Sequence, residues 1–222
     1  MAADSGVDRG EGLRELNPPS LSLRLRAATA EAHRSAEGSD FQRDLLAGRA
    51  GRAAYRDWVG QLHHVHSALE RRLWRPWPDA AWRELCAEDR RRSRQLEEDL
   101  RDLGEGSAPA CEAIRALAAQ VDADGDPPAF ALGVLYVLEG STNGGRMIAR
   151  PLRQGLGLEG EAGTRHLDPY GSAQGERWRA FRQALDTALP ETRWTQVEDG
   201  AQAAFRALGR AGAELRERHA GV

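Results

Sequence analysis

The stretch "LEGSTNGGRMIARPL", residues 138–152, follows directly on the apolar run "PPAFALGVLYV", residues 127–137. The run predicts a buried helix, which we place from about residue 128 to residue 154. Three glycines lie within six residues of this helix, although each costs roughly 1 kcal/mol relative to alanine in a helix interior. The glycines therefore need a packing reason or a functional one.

Two explanations for Gly140, Gly144 and Gly145 stay open at this point. Small residues permit close helix–helix packing or a kink. Alternatively, the missing side chains let the backbone approach a flat, bulky ligand, with Ser141 and Asn143 holding water or the ligand itself. A phosphate-binding loop is excluded because no strand precedes the glycines and the chain has no lysine, and "GSTNGG" does not match G-x-S-x-G.

The composition predicts a single domain outside the membrane. The chain has 222 residues, 41% of them hydrophobic, and a net charge of −3 without an acidic or basic tail, so neither a nucleic-acid partner nor a second core is expected. The two cysteines, Cys86 and Cys111, lack metal or redox spacing. No apolar run reaches about 18 residues and no signal peptide is visible, so we expect a cytoplasmic protein.

The periodicity is helical throughout, and we predict an all-α fold in one domain over residues 20–222, preceded by a flexible leader over residues 1–19. No segment alternates like a strand. The predicted order is a helix capped by Ser20 or Ser22, an apolar-striped helix around residues 55–73, a charged helix around 79–103, a short helix over 108–121, the apolar helix, a glycine-rich connection over 155–175, the helix "ERWRAFRQALDTAL" and a final helix capped by Thr192.

His33 is the most suggestive of the six histidines. Thr29, His33 and Glu37 are four residues apart, so they share one helix face, which Leu25 extends. An imidazole there can bind iron through one nitrogen if a partner such as Glu37 holds the other. From the spacing alone, a histidine satisfied within the core is the stronger interpretation.

The remaining motifs are weaker. In "HHVH", His63 and His66 can share a helix face, but no further ligand motif completes a metal site, so ordinary surface or half-buried histidines are favoured. In "GERWRAFRQAL", Arg179 and Gln183 share a face. That face is either a solvated basic surface or a clamp for ligand carboxylates.

Two segments resemble the heme oxygenase family. "LRAATAEAHRSAE", with the frame T-x-x-x-H-x-x-x-E, and the later "LHHVHSALE" resemble the N-terminal part of these enzymes. "YVLEGSTNGGRMIARPL" looks like the distal helix of the bacterial, phytochrome-associated branch. "DPYGSAQGERWRAFRQAL" and "AAFRALGRAGAEL" follow in the family's order, so the resemblance covers roughly residues 20–217.

The resemblance implies a helical bundle that holds heme b, both cofactor and substrate, between a proximal helix and a glycine-kinked distal helix. His33 would be the axial iron ligand, Glu37 its neighbour and Thr29 part of the same face. With oxygen as co-substrate and with electrons supplied by a ferredoxin or flavin reductase, the enzyme would convert heme to biliverdin, carbon monoxide and ferrous iron. Whether biliverdin then passes to a bacteriophytochrome or the release of iron is the purpose stays open at this point. The oligomeric state is open as well, with a monomer as the default expectation.

The same resemblance implies roles on the distal side. Gly140, Gly144 and Gly145 would line the distal face of the heme. The carboxylate found there in mammalian members is replaced by Ser141, so proton delivery is expected to rest on Ser141, Asn143 and water.

Propionate binding is implied for Arg26, Arg179 and Gln183, the last in place of a basic residue.

Three other functions compete with heme degradation. They are a non-catalytic heme carrier of the same fold, a thiaminase-like hydrolase and a di-iron oxygenase. The hydrolase would need a cysteine in a pocket, and neither cysteine of this chain is a convincing nucleophile. The di-iron site would need several glutamates and histidines on facing core helices, which the apolar helices do not offer.

Overall fold

The computed structural model describes residues 20–104, 106 and 108–220, except for the side chain of Glu37. Within these residues the regular elements are all helical, which confirms the predicted all-α class. The α-helices are α1 (Leu21–Glu37), α2 (Asp40–Leu46), α3 (Arg52–Leu73), α4 (Ala80–Leu85), α5 (Ser93–Leu103), α6 (Glu112–Asp122), α7 (Ala129–Leu156), α8 (Gln174–Ala188) and α9 (Trp194–His219). Residues 1–19, the predicted leader, lie outside the described residues.

Helix α1 begins where the sequence predicts. The side chain of Ser20 accepts a hydrogen bond from the backbone N–H of Leu23 at 3.5 Å, which satisfies one of the free donors of the first turn. Leu21 and Leu25 are fully buried on one side of the helix. Their burial fixes the rotation of α1 and decides which residues face outward.

Helices α7 and α9 form the central pair of the fold. A Cβ added to Gly133 would lie 1.9 Å from the carbonyl oxygen of Val197, and one added to Gly200 would lie 2.0 Å from that of Phe130. Because no side chain fits between them, the two backbones touch at this crossing. All residues from 131 to 139 are buried, so the first half of α7 lies within the core.

Helices α1 and α7 share three neighbouring helices. Helix α1 packs against α2, α8 and α9, and each of these also packs against α7. Arg26 of α1 nevertheless lies near Tyr136 of α7: burial raises the pKa of Tyr136, while the charges of Arg182 and Arg26 oppose the rise. Arg26 therefore places α1 within electrostatic range of α7, and the region between these two helices is called the cleft below.

The predicted charged helix over residues 79–103 is wrong as one element. It consists of α4, a 3-10 turn at Glu88–Arg90, and α5. The reason is the side chain of Arg90, which is only 1% exposed and reaches a carboxylate on α7. Burying this arginine requires a break that the local charge pattern does not reveal.

Thr192 does not cap the last helix. It lies in a 3-10 turn, Glu191–Arg193, and α9 begins at Trp194 without a side-chain cap. Trp194 is 4% exposed and donates its indole N–H to the carbonyl of Leu189 at 3.2 Å. Burial of this tryptophan sets the start of α9.

The other predicted boundaries are close. The apolar helix runs unbroken through the glycines and through Pro151 to Leu156, and the short helix begins at Glu112 instead of residue 108. Helix α2, capped by Ser39, was not predicted. None of the helices in the described part of the chain is long and apolar enough to span a membrane.

Candidate functional site

His33 lies exposed on α1. Its ring meets that of Phe205 from α9 edge to face, with 6.0 Å between the centroids. His33 is therefore not a core histidine. An exposed imidazole beside an aromatic ring is accessible to a ligand from the solvent.

Thr29 forms a hydrogen bond within the same helix. It is 4% exposed, and its hydroxyl donates to the carbonyl oxygen of Leu25 at 2.7 Å. Its hydroxyl hydrogen is thus used within α1. Glu37, the predicted partner of His33, has its backbone in α1, while its side chain lies outside the described atoms.

The three glycines of the opening stretch have three different surroundings. A Cβ on Gly145 would lie 2.0 Å from the carbonyl oxygen of Leu167, so this glycine is required by packing inside the protein. A Cβ on Gly140 would lie 3.4 Å from the indole of Trp178. A Cβ on Gly144 would meet no atom within 4 Å. Gly144 is thus the glycine that leaves bare backbone open toward the outside.

Ser141 and Asn143 are both exposed beside Gly144. The Ser141 hydroxyl donates to the carbonyl oxygen of Leu138 at 2.7 Å, and the Asn143 amide Nδ2 donates to that of Gly140 at 2.9 Å. Ser141 therefore keeps lone pairs for accepting hydrogen bonds, whereas Asn143 keeps one N–H for donating.

Glu139 points away from this face, as helix geometry predicts for a residue two positions before Ser141. Its side chain is buried and forms an ion pair with Arg90. The Tyr170 hydroxyl donates to the same carboxylate at 2.8 Å, and Arg92 lies 3.8 Å from its other oxygen. Glu139 consequently anchors α7 to the interior and is not available in the cleft.

The residues predicted to bind ligand carboxylates differ from the neighbouring Arg177 in their surroundings. Arg26, Arg179 and Gln183 are exposed, and neither arginine forms an ion pair with another described residue. Arg177, in contrast, is engaged with Glu84 and Asp89. The arginines of the predicted set are therefore free to meet an anionic ligand.

The "HHVH" histidines do not assemble a metal site. No cluster of three or more His, Cys, Asp or Glu side chains that could hold a metal ion occurs among the described residues. His63 approaches Glu97 at 3.3 Å. His66 is half-buried, and burial, helped by the charge of Arg92, lowers its pKa to about 3.

A buried polar layer behind α7 was missed by the sequence reasoning. The imidazole Nδ1 of His166 lies 2.8 Å from Asp99, and Gln174 bonds two side chains of α7. The residues that meet here are 31 to 67 positions apart in the chain. The local sequence around each of these residues does not indicate such pairings.

A surface pocket of about 380 Å³ lies elsewhere, between the end of α6 and the starts of α7 and α9. It contains none of the predicted site residues. Its Asp124 accepts from the backbone N–H of Ala131 at 2.8 Å, and its Arg193 donates to the carbonyl of Pro127 at 2.8 Å. These groups serve the local fold, so the cleft between α1 and α7 is the candidate site.

The chain is similar to known proteins in sequence and in fold. Heme oxygenases from two organisms are similar in sequence over part of their length. That from Rhodella violacea is 34% identical over 80 residues, 36% of this chain and 34% of the relative. That from Xanthomonas campestris pv. campestris is 38% identical over 104 residues, 45% of this chain and 53% of the relative. The matched segments thus span one third and about half of these relatives.

Solved structures show the same fold. Heme oxygenase-1 from the cyanobacterium Synechocystis, in complex with heme, superposes with a TM-score of 0.79 at 21% identity, covering 90% of this chain and 94% of that one. Heme oxygenase-2 from Synechocystis, with heme and NO, gives 0.81 at 19% identity, covering 90% and 86%.

The family model for heme oxygenase matches residues 19–211, which include both walls of the cleft. The match therefore contains the exposed histidine of α1 and the open glycine of α7 in a single unit. This chain belongs to the heme oxygenase family.

Proposed function

We propose that this chain binds heme b in the cleft between α1 and α7 and cleaves it oxidatively to biliverdin, carbon monoxide and ferrous iron. The observation that carries the proposal is the pairing of two accessible walls: the exposed imidazole of His33 on α1 and the open backbone at Gly144 on α7. Oxygen is the co-substrate, and a ferredoxin or flavin reductase supplies electrons from outside.

The residues of the cleft fit a heme. His33 offers an imidazole nitrogen to the iron, with Glu37 proposed to hold the other nitrogen. Gly144 admits a flat macrocycle because nothing occupies the space of its missing side chain. Arg26 and Arg179 are exposed cations suited to two propionates, and Gln183 adds a neutral donor beside them.

Heme supplies the iron and the oxidisable ring, and the protein supplies orientation and hydrogen bonds. Ser141 holds a water by accepting its hydrogen, since its own hydroxyl hydrogen is bound to Leu138. Asn143 has one amide N–H left to donate to the ligand or its water, since the other is bound to the carbonyl of Gly140. Glu139 takes no part in proton delivery, because its carboxylate is buried against Arg90.

The competing functions have little support. Burial raises the pKa of the Cys86 thiol to about 12, so it is a poor nucleophile at neutral pH, and Cys111 is buried at 5% exposure. The described residues also lack the ligand cluster that a di-iron site needs. A heme carrier of the same fold remains the one alternative that the cleft itself accommodates.

The test is to add one equivalent of heme and follow the absorption spectrum in air with ferredoxin and its reductase. We expect the Soret band to decay and biliverdin absorption to rise. A Soret band that persists through many electron equivalents would assign the chain as a carrier. Adding a bacteriophytochrome apoprotein then tests the proposed biliverdin acceptor, and cell fractionation the proposed cytoplasmic location.

A further inference from the structure

Gln174, the first residue of α8, reaches the same stretch of α7 that faces the cleft. Its amide Nε2 lies 2.8 Å from the hydroxyl of Thr142 and 3.2 Å from Oδ1 of Asn143. Thr142 is buried and Asn143 is exposed. One side chain therefore bridges the buried and the exposed side of α7.

The direction of these hydrogen bonds is fixed by the helix. The Thr142 hydroxyl donates its only hydrogen to the carbonyl of Glu139 at 2.7 Å, so it can only accept from Gln174. Asn143 must point its NH2 group at the carbonyl of Gly140, 2.9 Å away, so its Oδ1 also accepts from Gln174. Both amide hydrogens of Gln174 are thus committed to α7.

Two groups remain after this accounting. Asn143 retains one N–H hydrogen on its exposed amide. The Oε1 atom of Gln174 is buried and has no hydrogen-bond partner among the described residues. Since buried carbonyl oxygens in folded proteins are nearly always satisfied, an ordered water is the natural donor to this atom.

We propose that Gln174 is a positioning residue of the distal wall: it locks the amide of Asn143 with a donor hydrogen toward the cleft and binds an ordered water beside it. This arrangement supplies a hydrogen-bond donor on a stretch of α7 whose own carboxylate, Glu139, is buried against Arg90. If the Asn143 amide rotated, its Oδ1 would face the carbonyl oxygen of Gly140. Its NH2 group would face the NH2 group of Gln174, so both contacts would be repulsive. The inference rests on the proposed heme site.

Gln174→Glu tests the direction of the bonds without changing the size of the side chain. An ionised carboxylate can only accept, so it would attract the Asn143 NH2 group, turn Oδ1 toward the carbonyl of Gly140 and remove the free N–H from its wild-type position. The matched control is Gln120→Glu, which makes the same change on α6, where Gln120 is exposed and bonds only the carbonyl of Ala116.

The readout is the infrared C–O stretch of carbon monoxide bound to the ferrous heme complex. A donor near the ligand weakens the C–O bond, so losing it shifts the stretch to higher wavenumber. We expect that shift in Gln174→Glu and none in Gln120→Glu. In an Asn143→Leu background, Gln174→Glu should add no further shift, because the donor is already gone.

An unchanged stretch in folded Gln174→Glu would overturn the role of Gln174. If that variant does not fold, Gln174→Leu replaces it, and a stretch identical to that of the wild type again overturns the role. Measurements on the wild type separate this failure from failure of the heme site. If the wild type binds and degrades heme but the Gln174 variants leave the C–O stretch unchanged, only the positioning role is refuted. If the wild type binds no heme, both proposals are refuted.

Discussion

Gly144 and Gly145 are neighbours in the chain, but each lacks a side chain for a different reason. At Gly144 the space beyond the α-carbon is open, whereas at Gly145 it is filled by the backbone of Leu167. Packing therefore explains the glycine at position 145, and the open space at Gly144 is what the proposed heme site would use. The two positions can be tested separately because the structure predicts opposite effects on stability.

Gly144→Leu should leave the protein folded and weaken heme binding. The substitution replaces a poor helix former by a good one at an exposed site, so the free energy of unfolding is expected to stay equal or rise by up to about 1 kcal/mol. The new side chain would occupy the open face, and we expect heme affinity to fall by more than about tenfold. Urea denaturation and a heme titration measure the two effects; unchanged heme affinity would refute the assignment of this face.

Gly145→Ala should do the reverse. Its Cβ would lie 2.0 Å from the Leu167 carbonyl oxygen, and such overpacking costs roughly 1–3 kcal/mol. We expect the urea midpoint to fall by a corresponding amount, while heme affinity in the folded fraction changes little. A midpoint equal to that of the wild type would show that the packing at Leu167 is looser than described.

At the scale of the element, α7 is held by a buried cluster of charged side chains around Glu139. Glu139 pairs with Arg90 in the 3-10 turn before α5, and Arg90 also donates to the Glu84 carboxylate at 2.7 Å. Arg90 further donates to the carbonyl oxygen of Arg177 in α8 at 3.1 Å. This cluster ties α7 to two neighbouring segments and fixes its rotation.

Glu139→Ala should destabilise the protein strongly, because it leaves Arg90 buried with one carboxylate fewer. Breaking a buried ion pair costs roughly 3–5 kcal/mol. Because Glu84 still pairs with Arg90, we expect the free energy of unfolding to fall by about 3 kcal/mol. The control is Glu198→Ala, whose partner Arg24 is 46% exposed, for which we expect less than about 1 kcal/mol. Equal losses in urea denaturation would contradict the anchoring role of Glu139.

The elements show where sequence reasoning succeeds and where it fails. The start of α1 was predicted because Ser20 caps it locally. The break between α4 and α5 was not, because its cause is Glu139, 49 positions from Arg90. Likewise, Gln174 gave no signal, since its partners lie 31 and 32 positions away. Local chemistry is visible in the sequence, and pairings between distant polar residues are not.

At the scale of the whole molecule, the interior behind α7 contains polar groups as well as hydrophobic ones. Asp99 is fully buried and binds the ring and the backbone N–H of His166. His66 lies close enough to Arg92 and His166 for their charges to help burial in lowering its pKa to about 3. A neutral His66 is thus part of the folded state at ordinary pH.

His66 should therefore make the fold sensitive to acid. The unfolded chain binds a proton at His66 near pH 6.5, whereas the folded protein does so only near pH 3. Stability is lost as the pH falls between these values, with a slope of up to about 1.4 kcal/mol per pH unit. His66→Gln should flatten that part of the stability curve, measured by urea denaturation from pH 7 to pH 4. Parallel curves for variant and wild type would contradict the depressed pKa.

The all-α fold and the two helices that carry the family motifs could be predicted from the sequence, because helical periodicity and these motifs are local features. The exposure of His33 could not, since the same four-residue spacing suits a core histidine equally well. Its accessibility depends on how the burial of Leu21 and Leu25 rotates α1. That rotation is a property of the packed molecule.

The most direct test of the account is the iron–histidine stretching band of the ferrous heme complex, measured by resonance Raman spectroscopy in wild type and His33→Ala. We expect the band in the wild type and its loss in the variant, with return of activity or of a five-coordinate ligand signal when imidazole is added. The same band in His33→Ala would show that another residue binds the iron and would contradict the assignment of the cleft between α1 and α7.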